Sequence, residues 1–375
     1  MIVRKVLVVG AGLAGLSAAI ALARRGAEVT IVTLDDRAEG TSITITNRAV
    51  DAIEALGVLD ACIAAGLTPA DGKSLFSAMW DGAGNPLPLS APPVPATRLP
   101  AYIAIYRPDL GRILTDAAVA AGVTMRTGLS FTGLADGGGH VDVTFGDGTN
   151  ATFDLVVGAD GAHSAVRRVI HPGIEPTYTG WMSFRIVLED GPEGPPGFYT
   201  LPAGTGMLAT VRLPGNRLYL AAGKRMDHRR IDHSEAVELL DSVLAQYTAP
   251  LIRGIRDQLR NEPPVVARPF EYVLVPQPWH RGRVTIIGDA AHATTPNLAS
   301  GGSIALEDGV VLAEELDRAE SVAAGLDAFM VRRYNRCAMV VETSLAMMRS
   351  ADSGSGSTDN TTLRSKALAE LVKPY

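Results

Sequence analysis

Lys5-Val-Leu-Val-Val9-Gly10-Ala-Gly12-Leu-Ala-Gly15-Leu-Ser-Ala-Ala-Ile20 is the stretch on which the reading of the chain turns. Val6 to Val9 is a short apolar run that ends in glycines, so it reads as a buried strand. Leu16 to Arg25 is rich in alanine and leucine, good helix material, and Gly26 ends it as a C-cap. Val29-Thr-Ile-Val-Thr33 follows as a second strand of alternating β-branched residues. Gly10, Gly12 and Gly15 therefore place Gly-x-Gly-x-x-Gly between a strand and a helix. That turn needs glycine because the backbone must approach a pyrophosphate and the helix must press on the strand. The helix start then offers unpaired amides to the phosphates. In this context the pattern reads as a dinucleotide site.

Working outward, the chain of 375 residues is 47% hydrophobic and 20% charged, which supports two domains or one two-lobed unit and excludes wholesale disorder. A net charge of −6 lacks the footprint of a general nucleic-acid binder. Two isolated cysteines, Cys62 and Cys337, make neither a disulfide framework nor a zinc site and read as small core residues. Arg4 and Lys5 before an apolar run mimic a signal peptide, but the run is too short. No apolar stretch reaches membrane-spanning length, so no membrane partner and a cytoplasmic location are expected.

Helical periodicity runs over 47–66, and further helices are expected near 108–121, 234–247, 301–317 and 323–349. Residues 84–99 are proline-rich and read as irregular. Val141–Phe145 and Ala151–Val157 read as a hairpin, and 178–225 is β-rich. The Ser/Gly/Thr-rich stretch from Ala351 to Thr362 reads as flexible.

Two more motifs carry chemistry. Asp154-Leu-Val-Val-Gly-Ala-Asp160-Gly161 reads as a strand and a tight turn before a helix start. Val284-Thr-Ile-Ile-Gly288-Asp289 reads as a strand delivering an aspartate at its C-terminal end, where open α/β sheets bind ligands. The acid that usually ends the second strand and grips the ribose is absent. Thr33 holds that place, with Asp35 and Asp36 just beyond.

On Gly10–Gly15, Asp160-Gly161 and Gly288-Asp289, in that order and spacing, the chain resembles the single-component FAD-dependent aromatic hydroxylases, the para-hydroxybenzoate hydroxylase-like flavin monooxygenases. The resemblance covers most of residues 4–345. It implies an α/β fold of the glutathione-reductase type: a Rossmann-like FAD-binding domain with a parallel sheet, plus a substrate domain roofed by a β-sheet. The implied boundaries are 1–72, 98–177 and 270–350 for the FAD-binding domain, 73–97 and 178–269 for the substrate domain, and 351–375 for a flexible stretch and tail. The implied cofactor contacts are Gly10, Gly12, Ala14, Gly15, Thr33, Leu34, Thr44, Arg107, Leu129, Asp160, Asp289, Pro296, Ser300, Gly301 and Gly302. Among these, Asp289 would hold the ribityl chain, and Asp160 would act indirectly. Ala299-Ser300-Gly301 departs from the family's Gly-Gln-Gly. Ser300 remains a good N-cap, and the Gly301 and Gly302 amides could stabilise negative charge on the flavin N1–C2=O edge.

The implied reaction uses NADH or NADPH and O₂ to hydroxylate an aromatic or related electron-rich small molecule through a flavin C4a-hydroperoxide, in a monomer or homodimer. A flavin oxidase, a monooxygenase acting on a polyketide or antibiotic, and a non-catalytic FAD-binding scaffold are alternatives. Isolated cysteines argue against a disulfide reductase, and the lack of Trp-x-Trp-x-Ile-Pro argues against a halogenase. Substrate contacts are expected from the β-rich roof, with Trp181, Arg185, Tyr199, Arg212 and Tyr219 as candidates beside Phe184 and Met207. No catalytic base is assigned. His292 reads as structural, and His228, His233 and His280 lack metal-ligand spacing, so no metal is expected.

Overall fold

The structure is a computed structural model and describes residues 1–35, 40–46, 48–69, 78–88, 99–201, 207–352 and 356–375. A six-stranded sheet runs in the order His280–Arg281, Val284–Ile286, Leu155–Gly158, Lys5–Val9, Glu28–Thr33, Thr124–Thr127. All neighbours are parallel except the His280–Arg281 edge. Parallel strands covered on both faces read as continuous apolar runs, and Val6 to Val9 are all buried. The C-terminal ends of Lys5–Val9 and Val284–Ile286 thus bring Gly10 and Asp289 to one edge of the sheet.

The helix Leu13–Ala23 lies between this sheet and the helix Gly301–Arg318. Ser17 donates its hydroxyl to the Leu306 carbonyl at 2.7 Å, tying the two helices. Gly309 faces the Ser17–Ala18 backbone so closely that no side chain fits between them.

The expected hairpin of 141–145 with 151–157 is corrected. Asn150–Phe153 pairs with Val141–Phe145, and Phe131–Asp136 completes a three-stranded meander. The chain then turns at Asp154, whose carboxylate accepts the Arg4 and Lys5 amides at 2.7 and 2.9 Å, and Leu155–Gly158 enters the parallel sheet. The helical stretch over 47–66 is two helices, Ala49–Ala55 and Leu59–Ala65, because Gly57 adopts φ +68° between them. The expected irregular run falls partly on 89–98, outside the described residues.

The roof is a second six-stranded sheet: Val266–Tyr272, Thr177–Leu188, Leu218–Arg225, Met207–Arg212, Gly197–Thr200, Met79–Asp81. Strand alternation gives it two faces. Phe184, Ile186, Leu218 and Leu220 face a core closed by the helices His233–Leu244 and Pro250–Gln258. Trp181, Arg185, Val187 and Tyr219 occupy the other face, opposite one another in register with Arg225, Ala221, Tyr219 and Val187 respectively. A flexible tail is corrected from residue 356 onward. Gly356–Leu371 is a helix against the long helix Val322–Asp352, with Ala367 and Leu371 buried in the main core.

Gly309 supplies the first test. In an exposed helix, glycine to alanine gains about 1 kcal/mol. Here the new Cβ would stand 2.6 Å from the Ser17 carbonyl carbon, which is backbone and cannot swing away. Overpacking of this kind costs about 1–3 kcal/mol and dominates. Gly309→Ala should therefore lower the urea midpoint at unchanged m-value, whereas a raised midpoint would mean that the two helices are not in contact.

Candidate active site

The glycine turn is shaped by contacts with its own surroundings. A side chain on Gly15 would run into the Gly10 carbonyl, and Gly10, at φ +104°, presses on the Ala159 carbonyl. A side chain at Gly12 would meet nothing within 4 Å, so the turn is closed behind and open in front. Ala14 is buried, with its Cβ 2.6 Å from where one on Gly288 would stand. That contact sets the turn against the loop carrying Asp289. Asp289 itself opens the short helix Asp289–His292 and is exposed, with no hydrogen-bond or ion-pair partner among the described residues.

At the same end of the sheet, on the strand next to Lys5–Val9, Thr33 is buried. Its hydroxyl donates to the Asp35 carbonyl at 2.6 Å, and its own carbonyl accepts the Leu129 amide at 3.1 Å. The threonine proton is thus committed to the chain, which leaves the oxygen able only to accept. Leu34 is 75% exposed beside it. Asp36 lies outside the described residues.

Asp160 is fully employed within its own turn. Ser164 donates to one carboxylate oxygen, and the Ala165 and Val166 amides donate to the other at 2.7 and 3.1 Å. It thus holds the first two amides of the helix Ala165–Ile170, whose N-cap is Ser164, with the serine hydroxyl accepting the Arg167 amide at 2.8 Å. From that helix the fully buried Arg167 donates to the Ala290 carbonyl at 3.0 Å and so braces the Asp289 loop. The Asp-Gly motif reaches the Asp289 loop by this route.

Residues 295–302 complete the cleft. Pro296 opens a 3-10 turn, and Ala299 follows at φ +50°, the left-handed conformation that a glycine would hold without strain. The reading of Ser300 as a side-chain cap is corrected: its hydroxyl donates to the Leu298 carbonyl at 2.9 Å. The first amides of the helix, at Gly301 and Gly302, have no side-chain cap. Gly302 packs against Ile43 in the strand Ser42–Thr46, which carries Thr44. Thr295 Oγ1 and Asn297 Oδ1 are buried polar atoms with no partner among the described residues. Such orphans are costly unless a bound group meets them, and together with the open front of Gly12 they fit a large polar cofactor.

Above this cleft, Tyr219 of the roof comes beside Thr41, Arg107 and Arg185. Burial pushes the Tyr219 phenol up, while Arg185, Thr41 and Arg107 draw it partly back. Arg107 begins the helix Arg107–Ala120, with its side chain against Gly40. Arg185 donates to Ser183 at 2.8 Å. Trp181 packs with Tyr272 and Leu274 against Val341, Leu345 and Met348 of the long helix, and its buried indole N–H has no acceptor among the described residues. Trp181, Arg185 and Tyr219 thus share the face turned to the cofactor domain. Tyr199 and Arg212 do not. Both point into the opposite core, Tyr199 donating to the Pro195 carbonyl at 2.6 Å and Arg212 to the carbonyls of Gly191 and Pro192.

Sequence reasoning gave no role to Glu307 and Asp308, which form the most buried charged group. Asp308 accepts the Gly288 amide at 2.9 Å, His292 Nε2 at 2.6 Å and Arg333 Nε at 2.7 Å. His292, Asp308 and Cys337 come within ligating distance of one another, but the Arg333 guanidinium supplies the positive charge there. Burial opposes a charge on His292, but the Cys337 sulfur and the Asp308 carboxylate outweigh it and raise its pKa well above 6.5. Burial likewise opposes charge on Asp308, yet His292 and Arg333 hold it at about 2. Cys62 is core, its thiol pushed up to about 12 by burial. His280 pairs with the exposed Asp327, and His228 stacks on Tyr178.

A glycine turn at the end of a parallel sheet, beneath a β-roof, defines a dinucleotide-binding α/β protein. Residues 4–215 and 267–344 match the FAD binding domain family, and the chain belongs to it. It is 31% identical over 339 residues to the aurachin C monooxygenase/isomerase of Stigmatella aurantiaca, covering 88% of this chain and 85% of that protein. It is 27% identical over 349 residues to the FAD-dependent urate hydroxylase of Mycolicibacterium vanbaalenii, covering 90% and 86%. Its fold is also that of Klebsiella pneumoniae HpxO complexed with FAD and uric acid, with a TM-score of 0.77 at 22% identity over 98% of this chain and 95% of that one. The protein is an FAD-dependent monooxygenase. No helix among the described residues is long and apolar enough to cross a membrane.

The His292–Asp308 pair carries a pH signature. His292, with a raised pKa, contributes stability that is full below 6.5 and is lost as pH rises through its folded value. Asp308, with a depressed pKa, contributes stability that is full above 3.8 and is lost as pH falls towards about 2. The stability advantage of wild type over His292→Gln should therefore plateau between these limits and shrink on both sides. Denaturant midpoints across the pH range check this, and a flat difference would mean that His292 is uncharged in the fold.

Proposed function

We propose that the enzyme hydroxylates a planar, electron-rich aromatic or heteroaromatic molecule that carries a hydrogen-bond acceptor, with NADH or NADPH as electron donor. Bound FAD supplies the activation of O₂ and its transfer to the ring. The turn Gly10–Gly15 would hold the pyrophosphate on the helix start, and Asp289 the ribityl hydroxyls. The Gly301 and Gly302 amides would meet the flavin N1–C2=O edge and favour negative charge there. Thr33 would accept from the adenosine ribose with a neutral oxygen.

The roof residues have separate tasks. Trp181 would donate its indole N–H to the substrate acceptor. Arg185, flanking Tyr219, would favour an anionic oxygen on the substrate, which enriches the ring for attack. The apolar contacts of Trp181 with the long helix exclude water from that side.

The observation that carries this reading is the buried Trp181 N–H, without an acceptor among the described residues, on the roof face that Arg185 and Tyr219 share. Leaving such a donor unpaired costs about 1–3 kcal/mol, which a bound substrate relieves. A screen of aromatic and bicyclic heteroaromatic compounds, following substrate-dependent NAD(P)H consumption and hydroxylated product, tests the reaction; consumption without oxygenated product would point to an oxidase. With a substrate in hand, Trp181→Phe should raise KM roughly tenfold with kcat little changed, and an unchanged KM would remove Trp181 from the site. Asp289→Ala should weaken FAD binding by roughly ten- to a hundredfold through the loss of a charge-assisted hydrogen bond. Fluorescence titration of apoprotein with FAD measures this, and unaltered affinity would take the ribityl role from Asp289.

A further inference from the structure

The charged group around Asp308 does not end at the cofactor loop. Arg333 donates to Asp308 at 2.7 Å and to Glu307 at 2.8 Å, so one guanidinium spans both carboxylates. Glu307 is in turn gripped at both oxygens by Arg336, at 2.8 and 3.0 Å. The same Arg336 guanidinium donates to the carbonyls of Glu370, Leu371 and Lys373, at 3.2, 2.8 and 3.3 Å, where the last helix ends. An unbroken run of hydrogen bonds thus connects the Gly288 amide, next to Asp289, with residues 370–373. Glu307, Asp308 and Arg333 are each 1% exposed or less, so water cannot replace a missing link.

Inside a core, this arrangement has one consequence that a surface ion pair would lack. Each carboxylate has its charge balanced only while every donor is in place, because desolvation is not recovered from solvent. If the last helix undocks, Arg336 loses three carbonyl acceptors and is freed to swing out. Glu307 then leans on Arg333 alone, and the share of Arg333 left for Asp308 changes. Asp308 holds the Gly288 amide directly, and Gly288 sits at φ +60° with no slack against Ala14. The loop that presents Asp289 therefore has its geometry fixed from behind by this run.

We infer that the last helix, Gly356–Leu371, is a clamp on the cofactor loop, with Arg336, Glu307, Arg333 and Asp308 as positioning residues that couple its docking to FAD affinity. The inference rests on the assignment of the Gly288–Asp289 loop to FAD. Coupling between two sites is reciprocal, so FAD must also tighten the helix end.

Two measurements on the full chain test this. Hydrogen exchange with and without FAD should show the Val372 and Lys373 amides, which donate to Leu368 and Glu370, exchanging several-fold more slowly in the holoprotein. Arg336→Gln should abolish that protection and raise the FAD Kd about tenfold. Arg256→Ala, which breaks an exposed two-point pair with Asp241 in the roof unit, should leave Kd within twofold. The proposal is overturned if FAD leaves the exchange of Val372 and Lys373 unchanged in wild type, a result that needs no variant to fold. It is also overturned if Arg336→Gln folds and binds FAD within twofold of wild type. A normal Arg336→Gln beside a weakened Asp289→Ala would discard the clamp and keep the loop assignment, whereas two normal variants would discard both.

Discussion

The first helix has backbone against backbone on two sides, and this close approach is the constraint on which the rest of the molecule depends. Gly15 lies on the Gly10 carbonyl, and Gly309 lies on the Ser17–Ala18 backbone. With no side chains in between, the helix Gly301–Arg318 is drawn against the glycine turn, and its first amides come to the same end of the sheet. Gly288 against Ala14 adds the third contact, setting the Asp289 loop beside the turn. These contacts are steric and lie within the chain itself, so they set the shape of the cleft. Its polar groups are then arranged around a fixed shape, which is the condition for electrostatic preorganisation.

Much of this was legible in the sequence because it depends on local pattern. A strand, a glycine turn and an alanine-rich helix within the first 25 residues leave few other solutions, and Gly288-Asp289 at the end of an apolar run places an acid where a parallel sheet binds ligands. The sequence was less informative wherever a choice between two faces was needed. Alternation in the roof strands marks two faces but not which of them meets the cofactor, so Tyr199 and Arg212 looked as suitable as Trp181 and Tyr219. The break at Asp154 was hidden because both halves of Ala151–Val157 are β-prone, and only the capture of two amides by one carboxylate separates them. The last helix was obscured by its Ser/Gly/Thr-rich start, since tertiary contacts at Ala367 and Leu371 outweigh weak local propensity. One signal was available and unused. Two adjacent acids inside the apolar run Ile304-Ala-Leu-Glu-Asp-Gly-Val-Val-Leu312 require buried cations, and Arg333 and Arg336 lie three residues apart on one helix face.

The order of strands in the parallel sheet also bears on how the chain is made. Leu155–Gly158 has Lys5–Val9 on one side and Val284–Ile286 on the other, and the whole roof lies between these two partners in sequence. During synthesis, Leu155–Gly158 therefore waits with one edge unpaired while the roof emerges, for roughly ten seconds at ordinary elongation rates. The roof is nearly continuous in sequence and can close its own core in that interval. The cofactor cleft can form only once Gly288, Asp289 and the helix after them have left the ribosome. An exposed edge held open for that long invites wrong pairing. The nascent chain is thus most vulnerable to aggregation in the window between the emergence of Leu155–Gly158 and the arrival of the strand that closes the sheet.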